Sequence, residues 1–266
     1  MNVKGYVLGL LVSLQFFSSL PIPISIKMDR NVIKRTVMMF PVLGLIMGGI
    51  MGSLLYCLNE WTNLSSLALA FIVWVLPIIL TGGIHLDGWM DTSDAYFSYQ
   101  DKEKRLEIMK DPRAGAFAVI SVIVLLSARF LFIYESMMLD SLVLASMIGV
   151  IPFFSRMIMG ILMVTGKTAK EEGMAHYFKQ HTSPVYLLTY SIPYVLIAVI
   201  FLWLLPNIAD LFLLFTLAAV LLNLWIRRQT IKWFGGITGD TLGASVEGAE
   251  TLLWMIVWLS AYTGMA

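Results

Sequence analysis

The chain has 266 residues, of which 59% are hydrophobic and 13% charged, and a formal net charge of +1 at pH 7. That balance excludes a disordered chain, argues against a water-soluble globular domain, and carries no nucleic-acid signature, since the aromatics are not interleaved with a basic patch. A single cysteine, Cys57, excludes a disulfide framework and a cysteine-rich metal site; within its apolar run it reads as a small packing residue.

The first apolar stretch, residues 5–22, has the length of a signal peptide. Only Lys4 precedes it and no small-x-small cleavage pattern follows, so it reads as retained. Ser13, Gln15, Ser18 and Ser19 weaken it and Pro21 and Pro23 close it, leaving three readings: an eighth span, a re-entrant hairpin or an interfacial helix. A bilayer core is crossed by about 20 apolar residues of helix. Seven further stretches approach that length: 37–58, 64–86, 114–137, 142–165, 184–206, 211–227 and 242–264.

Basic residues alternate between the connections. Lys27, Arg30, Lys34 and Arg35 precede the first of these spans, and Lys102, Lys104, Arg105, Lys110 and Arg113 follow the second. Lys167, Lys170 and Lys179 follow the fourth, and Arg227, Arg228 and Lys232 the sixth, whereas the turns near Glu60, Asp140 and Asp210 hold neither lysine nor arginine. The positive-inside rule then places the long loops in the cytoplasm and the C-terminus outside. With no linker, low-complexity stretch or internal repeat, residues 1–266 read as one catalytic domain. Its expected fold is an all-α polytopic helical bundle of the cytoplasmic membrane, with its site on the cytoplasmic face. Oligomeric state is left open, and lipid is the expected surroundings.

At the end of the second apolar stretch lies GGIHLDGWMDTSD, residues 82–94. Asp87, Asp91 and Asp94 fall within an arc of roughly 60° on a helix of 3.6 residues per turn. Three like charges on one stripe repel and resist desolvation near a bilayer, and a cation removes both penalties. Oxygen-only ligands suit Mg²⁺, an ion that commonly shares substrate phosphates. The bland alternative is a solvated helix end. Gly82, Gly83 and Gly88 allow close approach of backbone or phosphate, and His85 reads equally well as a structural group or as a base or ligand.

Next comes EIMKDPRAG, residues 107–115, where Asp111 is a candidate to complete a metal shell and Lys110 and Arg113 to hold phosphate oxygens. The alternative is a juxtamembrane basic cluster that only sets topology. In the spans, Arg129 and Arg156 must point into the bundle, and Arg156 is the better candidate contact for an anionic substrate. The loop KTAKEEGMAHYF, residues 167–178, reads as solvated, and the methionines, tryptophans and phenylalanines carry no assigned chemistry. Finally GGITGDTLGASVEGAE, residues 235–250, sets Asp240 and Glu247 seven apart and in phase, with Glu250 beyond. Asp240 and Glu247 would complete a two-metal arrangement with the first stripe, or else pair with Arg129 or Arg156.

Together these segments resemble the cobalamin synthase family, the adenosylcobinamide-GDP ribazoletransferases. The resemblance rests on FFSSLPIPI (16–24), FPVLGLIMG (40–48), TGGIHLDGWMDTSDAYFS (81–98), RLEIMKDPRAGAFA (105–118), SRM (155–157), AKEEG (169–173) and GGITGDTLGASVEGAE. Pro112 departs from the family's expected serine and removes a hydroxyl and a backbone donor beside Asp111. The resemblance implies transfer of the phosphocobinamide moiety of adenosylcobinamide-GDP to α-ribazole or its 5′-phosphate, with release of GMP. On that reading Asp87, Asp91, Asp94, Asp240 and Glu247 are catalytic and metal-holding, with Lys110, Arg113 and Arg156 at phosphate or nucleotide. A CDP-alcohol phosphotransferase would continue from Asp-Gly to an Ala-Arg pair, which is absent here, and a transporter would place its charges nearer mid-bilayer.

Overall fold

The computed structural model describes residues 3–263. In chain order its helices are α1 (Val3–Phe17), α2 (Arg30–Met38), α3 (Phe40–Trp61), α4 (Ser66–Thr81), α5 (Ile84–Phe97), α6 (Lys102–Ile108), α7 (Ala116–Ser136), α8 (Ser141–Thr165), α9 (Met174–Gln180), α10 (Ser191–Leu204), α11 (Ala209–Phe234) and α12 (Gly239–Thr263). Short 3-10 turns, Pro184–Tyr190 and Pro206–Ile208, lead into α10 and α11. The chain is a polytopic membrane helical bundle: six of these units are long and apolar enough to cross a bilayer, and α4 with α5 passes the same test as a bent pair.

The bundle is built around α8, whose apolar window is 83% buried. Its closest neighbour is α3, because Gly44, Gly48 and Gly52 recur every four residues on one face. A Cβ at any of them would run into the α8 backbone at Pro152–Phe153, Gly149 or Ala145. Bare backbone there permits the close approach typical of helix packing inside membranes. By contrast only 11% of the span ending in α10 is buried, so it forms the lipid-facing edge. Helix starts follow from capping side chains: Asp29 accepts from the N–H groups of Asn31 and Val32 at 2.8 Å, and Asp140 accepts from Leu142 N–H at 2.9 Å.

The two ends of the bundle differ. At one, the short turns gather: Ser141 donates to Glu60 at 2.7 Å, and Tyr262 bonds Glu135. At the other lie α5, α6, α9 and the loops between them. Two stretches differ from the sequence reading. The span expected over 64–86 stops at Thr81, because Gly82 and Gly83 both adopt left-handed backbone (φ +64° and +76°). The chain turns through 89°, and α5 lies across the end of the bundle instead of extending α4. The stretch expected over 211–227 continues as helix to Phe234, where Gly235 (φ +78°) ends it.

Within residues 5–22 the helix is shorter than the length of a span. The helix stops at Phe17 after 15 residues, and α1 folds back on α2 with Gly5 and Gly9 against Arg35. The extended segment that follows is tied to the end of α4: Ser19 N–H donates to Leu80 O at 2.8 Å and its hydroxyl to Ile79 O at 2.6 Å. Ile79 O also accepts from Gly82 N–H at 3.3 Å, whereas Leu80 O, in the last turn, takes its partner from this segment.

Candidate functional site

The site grows from the contact between α5 and the first turns of α12. Gly88 faces α12 so closely that a Cβ there would lie 2.7 Å from Asp240 O, and one at Gly243 would lie 3.3 Å from His85 Cα. Two glycines, one on each helix, thus let the backbones touch. The start of α12 is fixed by a reciprocal cap: Thr241 N–H donates to the Thr238 hydroxyl at 3.1 Å, and Thr238 N–H donates to the Thr241 hydroxyl at 2.8 Å. Asp240 is thereby set beside the stripe carried by α5, and Asp87 and Asp240 line the same cavity.

Electrostatics reflect that convergence. On α5, outside the spans, Asp91 is pushed up from 3.8 to about 6 by burial first, then by Asp87, Asp240 and Asp94. Asp94 leans against Gly115 at the start of α7, where a Cβ would occupy the place of its carboxylate. Among the described residues no three ligating side chains already close around one point. The donor set is nevertheless all-oxygen and mutually repelling, which fits a hard cation in kind. His85 is 3% exposed and stacks on Phe17 at 6.0 Å. Burial and then Arg156 hold its imidazole well below the ordinary value, so it is neutral.

The loop after α8 closes over this floor. Ile237 N–H donates to Lys167 O at 2.7 Å and Ala169 N–H to Ile237 O at 3.0 Å, pinning residues 167–169 to the turn before α12. Lys170 follows; burial and then the Lys110 ammonium hold its pKa below lysine's usual range. Lys110 in turn bridges to Glu172 at 2.9 Å between exposed side chains, a contact that adds little stability but spans the mouth. Beneath lies a cavity of about 580 Å³, with Asp87, Asp240, Lys110, Lys170 and Glu172 on its charged side. The loop read from sequence as solvated therefore supplies part of the wall. In the sequence Lys170 stood only within a basic loop and the AKEEG segment, with no site role; the bridge to Ile237 brings it to Asp240.

Other candidates lie elsewhere. Glu247 does not join the stripe: Arg129 donates to its carboxylate at 2.6 Å and to its carbonyl at 2.8 Å, and also bonds Thr251 at 2.9 Å, all deep in the bundle. Arg156 is taken up by Glu250, with Ser155 donating to the same carboxylate at 2.9 Å. Of the two pairings weighed for the second acidic helix, Glu247 has the ion pair and Asp240 has the stripe. Asp111 pairs with Arg113 at 2.6 Å on the surface, away from the cavity walls, and Arg113's hydrogen bonds pull it down to about 2. Gly82 and Gly83 meet no close neighbour that a Cβ would clash with, and both hold left-handed backbone that favours glycine.

Residues 9–258 match the family model described as cobalamin-5-phosphate synthase. The chain is 39% identical over 255 residues to an adenosylcobinamide-GDP ribazoletransferase of Geobacillus sp. (strain WCH70), covering 94% of this chain and 95% of that one. It is 37% identical to the protein of that name in Geobacillus kaustophilus, with 94% and 95% covered. For the protein of the same name in Acinetobacter baumannii (strain ACICU) the identity is 35%, over 91% of this chain and 93% of that one. No solved structure matches the chain.

Two outcomes follow from this geometry. An acid whose pKa is raised on folding costs stability where it is ionised, and that cost vanishes as pH falls through its folded value. For Asp91 the window runs from about 6 down to 3.8, so in chelator the Tm should be lower near neutral pH than below pH 6. Asp91→Asn should flatten that dependence; a Tm that falls over this window in chelator, or one whose slope Asp91→Asn leaves unchanged, would contradict the repulsion. For the buried pair, Arg129→Met or Glu247→Gln alone should each cost about 3–5 kcal/mol in thermal unfolding, and the double variant less than the sum. Strict additivity would show that the two side chains are not coupled.

Proposed function

The chain belongs to the cobalamin-5-phosphate synthase family, and we propose that it is the membrane enzyme that transfers the phosphocobinamide moiety of adenosylcobinamide-GDP to α-ribazole or α-ribazole 5′-phosphate. The observation that carries this reading is the meeting of the α5 aspartates with Asp240 beside a cavity that Asp87, Asp240, Lys110 and Lys170 all line. Carboxylates and ammonium groups lining one cavity suit a reaction in which a diphosphate is gripped and one of its P–O bonds is exchanged.

In the reaction a ribose hydroxyl of the ribazole attacks the phosphorus attached to cobinamide. A new O–P bond forms, the bond to the GMP oxygen breaks, and GMP leaves with that electron pair as a phosphate oxyanion. Lys170 and Lys110 bind and orient the diphosphate oxygens; Lys170, already short of a full counter-charge, gains one when phosphate arrives. A carboxylate of the cluster accepts the hydroxyl proton, and the close-packed backbone at Gly88 and Gly243 fixes that cluster's position. Asp87, Asp91 and Asp94, with Asp240, would hold Mg²⁺, which when bound supplies positive charge against the diphosphate and the departing GMP. Glu247 acts at one remove, as the counter-ion of Arg129 that seats α12.

The same reading places the protein in the cytoplasmic membrane with the α5, α6 and α9 end facing the cytoplasm, since the lysine- and arginine-bearing loops are at that end. The corrinoid and nucleotide substrates then reach the site from solvent. The α5 aspartates and Asp240 gather at one cavity, and the acids inside the bundle, Glu247 and Glu250, are each held by an arginine, which supports an enzyme over a transporter with free mid-bilayer charges.

Purified full-length protein given adenosylcobinamide-GDP and α-ribazole should release GMP in step with the corrinoid product. Chelator should abolish release and Mg²⁺ restore it, while Asp91→Asn should lower turnover at least about 10²-fold without loss from the membrane. Release that ignores chelator would defeat the metal assignment, and no release from folded protein would defeat the activity. For sidedness, single cysteines placed at Lys104 or Glu171 in a Cys57→Ser background should resist an impermeant thiol reagent in intact cells. Labelling from outside would invert the orientation.

A further inference from the structure

The cavity has two chemically distinct parts. Besides the acids and lysines the lining includes an apolar arm, with Met159 and Met163 of α8, Met174 at the start of α9, Phe17 at the end of α1, and Met109 after α6, which lies beside Thr238 next to Asp240. His85 completes this part. Its ring lies nearly parallel to Phe17, at 15°, and its Nε2 is buried with no hydrogen-bond partner. Among the described cavity-lining residues it is the one whose buried polar side-chain atom is orphaned. Leaving such a group unpaired costs about 1–3 kcal/mol, a cost that a ligand acceptor in the cavity would relieve once a small turn of the ring brings Nε2 to it.

We infer that this methionine-lined arm holds the aromatic base of the ribazole, with His85 Nε2–H donating to the base's one unsubstituted ring nitrogen. The inference rests on the proposed ribazole transfer and names the subsite for one of its two substrates. A benzimidazole base is flat, largely apolar, has no donor, and offers a single acceptor nitrogen. The arm offers flat and pliable apolar walls and a single free nitrogen. Guanine, the other aromatic base in the reaction, carries donors and acceptors on two edges, which thioether walls would leave unpaired. The corrin ring with its side chains is too large for a cavity of about 580 Å³, whose size is that of a nucleoside or small cofactor site.

Placement supports the same assignment. His85 and Asp87 are two residues apart on α5 and both reach the cavity. A base held at His85 therefore shares one cavity with Asp87 and Asp240, within which a hydroxyl of its ribose is to be deprotonated. Methionine contributes soft sulfur–aromatic contacts of about 0.3–1.5 kcal/mol each and shifts shape readily. The arm should tolerate altered ring substituents on the base while remaining strict about the acceptor nitrogen.

The test compares binding of two ribosides to the full-length protein in detergent, by equilibrium dialysis without the corrinoid substrate. One is α-ribazole; the other is the matched indole riboside, in which the acceptor nitrogen is CH. Wild type should bind α-ribazole about tenfold more tightly, the worth of one buried hydrogen bond. His85→Phe, which keeps the ring stack, should erase that preference. Met163→Ala should weaken both ribosides alike, and neither variant should change the affinity for adenosylcobinamide-GDP. Equal binding of the two ribosides by wild type overturns the inference with no variant needed. Variants that weaken adenosylcobinamide-GDP while sparing α-ribazole also overturn it and place guanine in the arm. GMP release by the same wild-type preparation reports separately on the transferase reading: release without discrimination between ribosides removes the subsite alone.

Discussion

Charge inside an apolar bundle must find charge, and α12 is where this chain meets that requirement. Arg129 and Arg156, both 2% exposed, come from two different helices, and Glu247 and Glu250 on α12 answer them one each. Breaking either pair would strand an uncompensated ion away from water, at a cost of several kcal/mol. The pairs therefore fix the rotation and height of α12 against α7 and α8 more strictly than apolar packing does, because a methionine or leucine contact slides and a guanidinium bonded to a carboxylate, a carbonyl and a hydroxyl does not. Everything at the site inherits that setting. Asp240 lies two turns from Glu247 on the same rigid helix.

Against this seated helix, α5 is positioned by absence of side chains. Gly88 and Gly243 let the two backbones meet, and the carboxylates on either side are brought nearer than they would settle unaided. Asp91 is pushed up to about 6 by burial first and then by the charges of Asp87, Asp240 and Asp94. The energy that keeps the acids together comes from the buried ion pairs and the glycine contact, both away from the reacting atoms. A site strained in its own carboxylates and relaxed elsewhere is suited to receive positive charge.

Much of this was visible in the residues themselves. Six spans follow from apolar length, and the α5 stripe follows from spacings of four and seven, because helix periodicity is a local property. The end of α4 was missed because a run of apolar residues continues through Gly82 and Gly83, and hydropathy does not register left-handed backbone. Asp240 and Glu247 are in phase on one helix, yet they serve different partners. Phase tells which residues share a face but not what faces them, and the register of α12 against α7 decides that. Lys170 and the four cavity methionines were silent for a related reason: they belong to the site only through contacts distant in sequence, such as the pairing of Ile237 with Lys167 and Ala169.

Ser19 carries a consequence of another kind. Where α4 stops, this serine from the N-terminal segment takes up Leu80 O and adds a second donor to Ile79 O, which Gly82 N–H already caps. The angle at which α5 departs is thus held from outside by residues some sixty positions earlier. The bend behaves as a hinge with a stay, and the N-terminal hairpin is the anchor of that stay. Divergence among relatives in this leading segment would then act as tuning of the acidic stripe, altering how it is aimed without touching a single carboxylate.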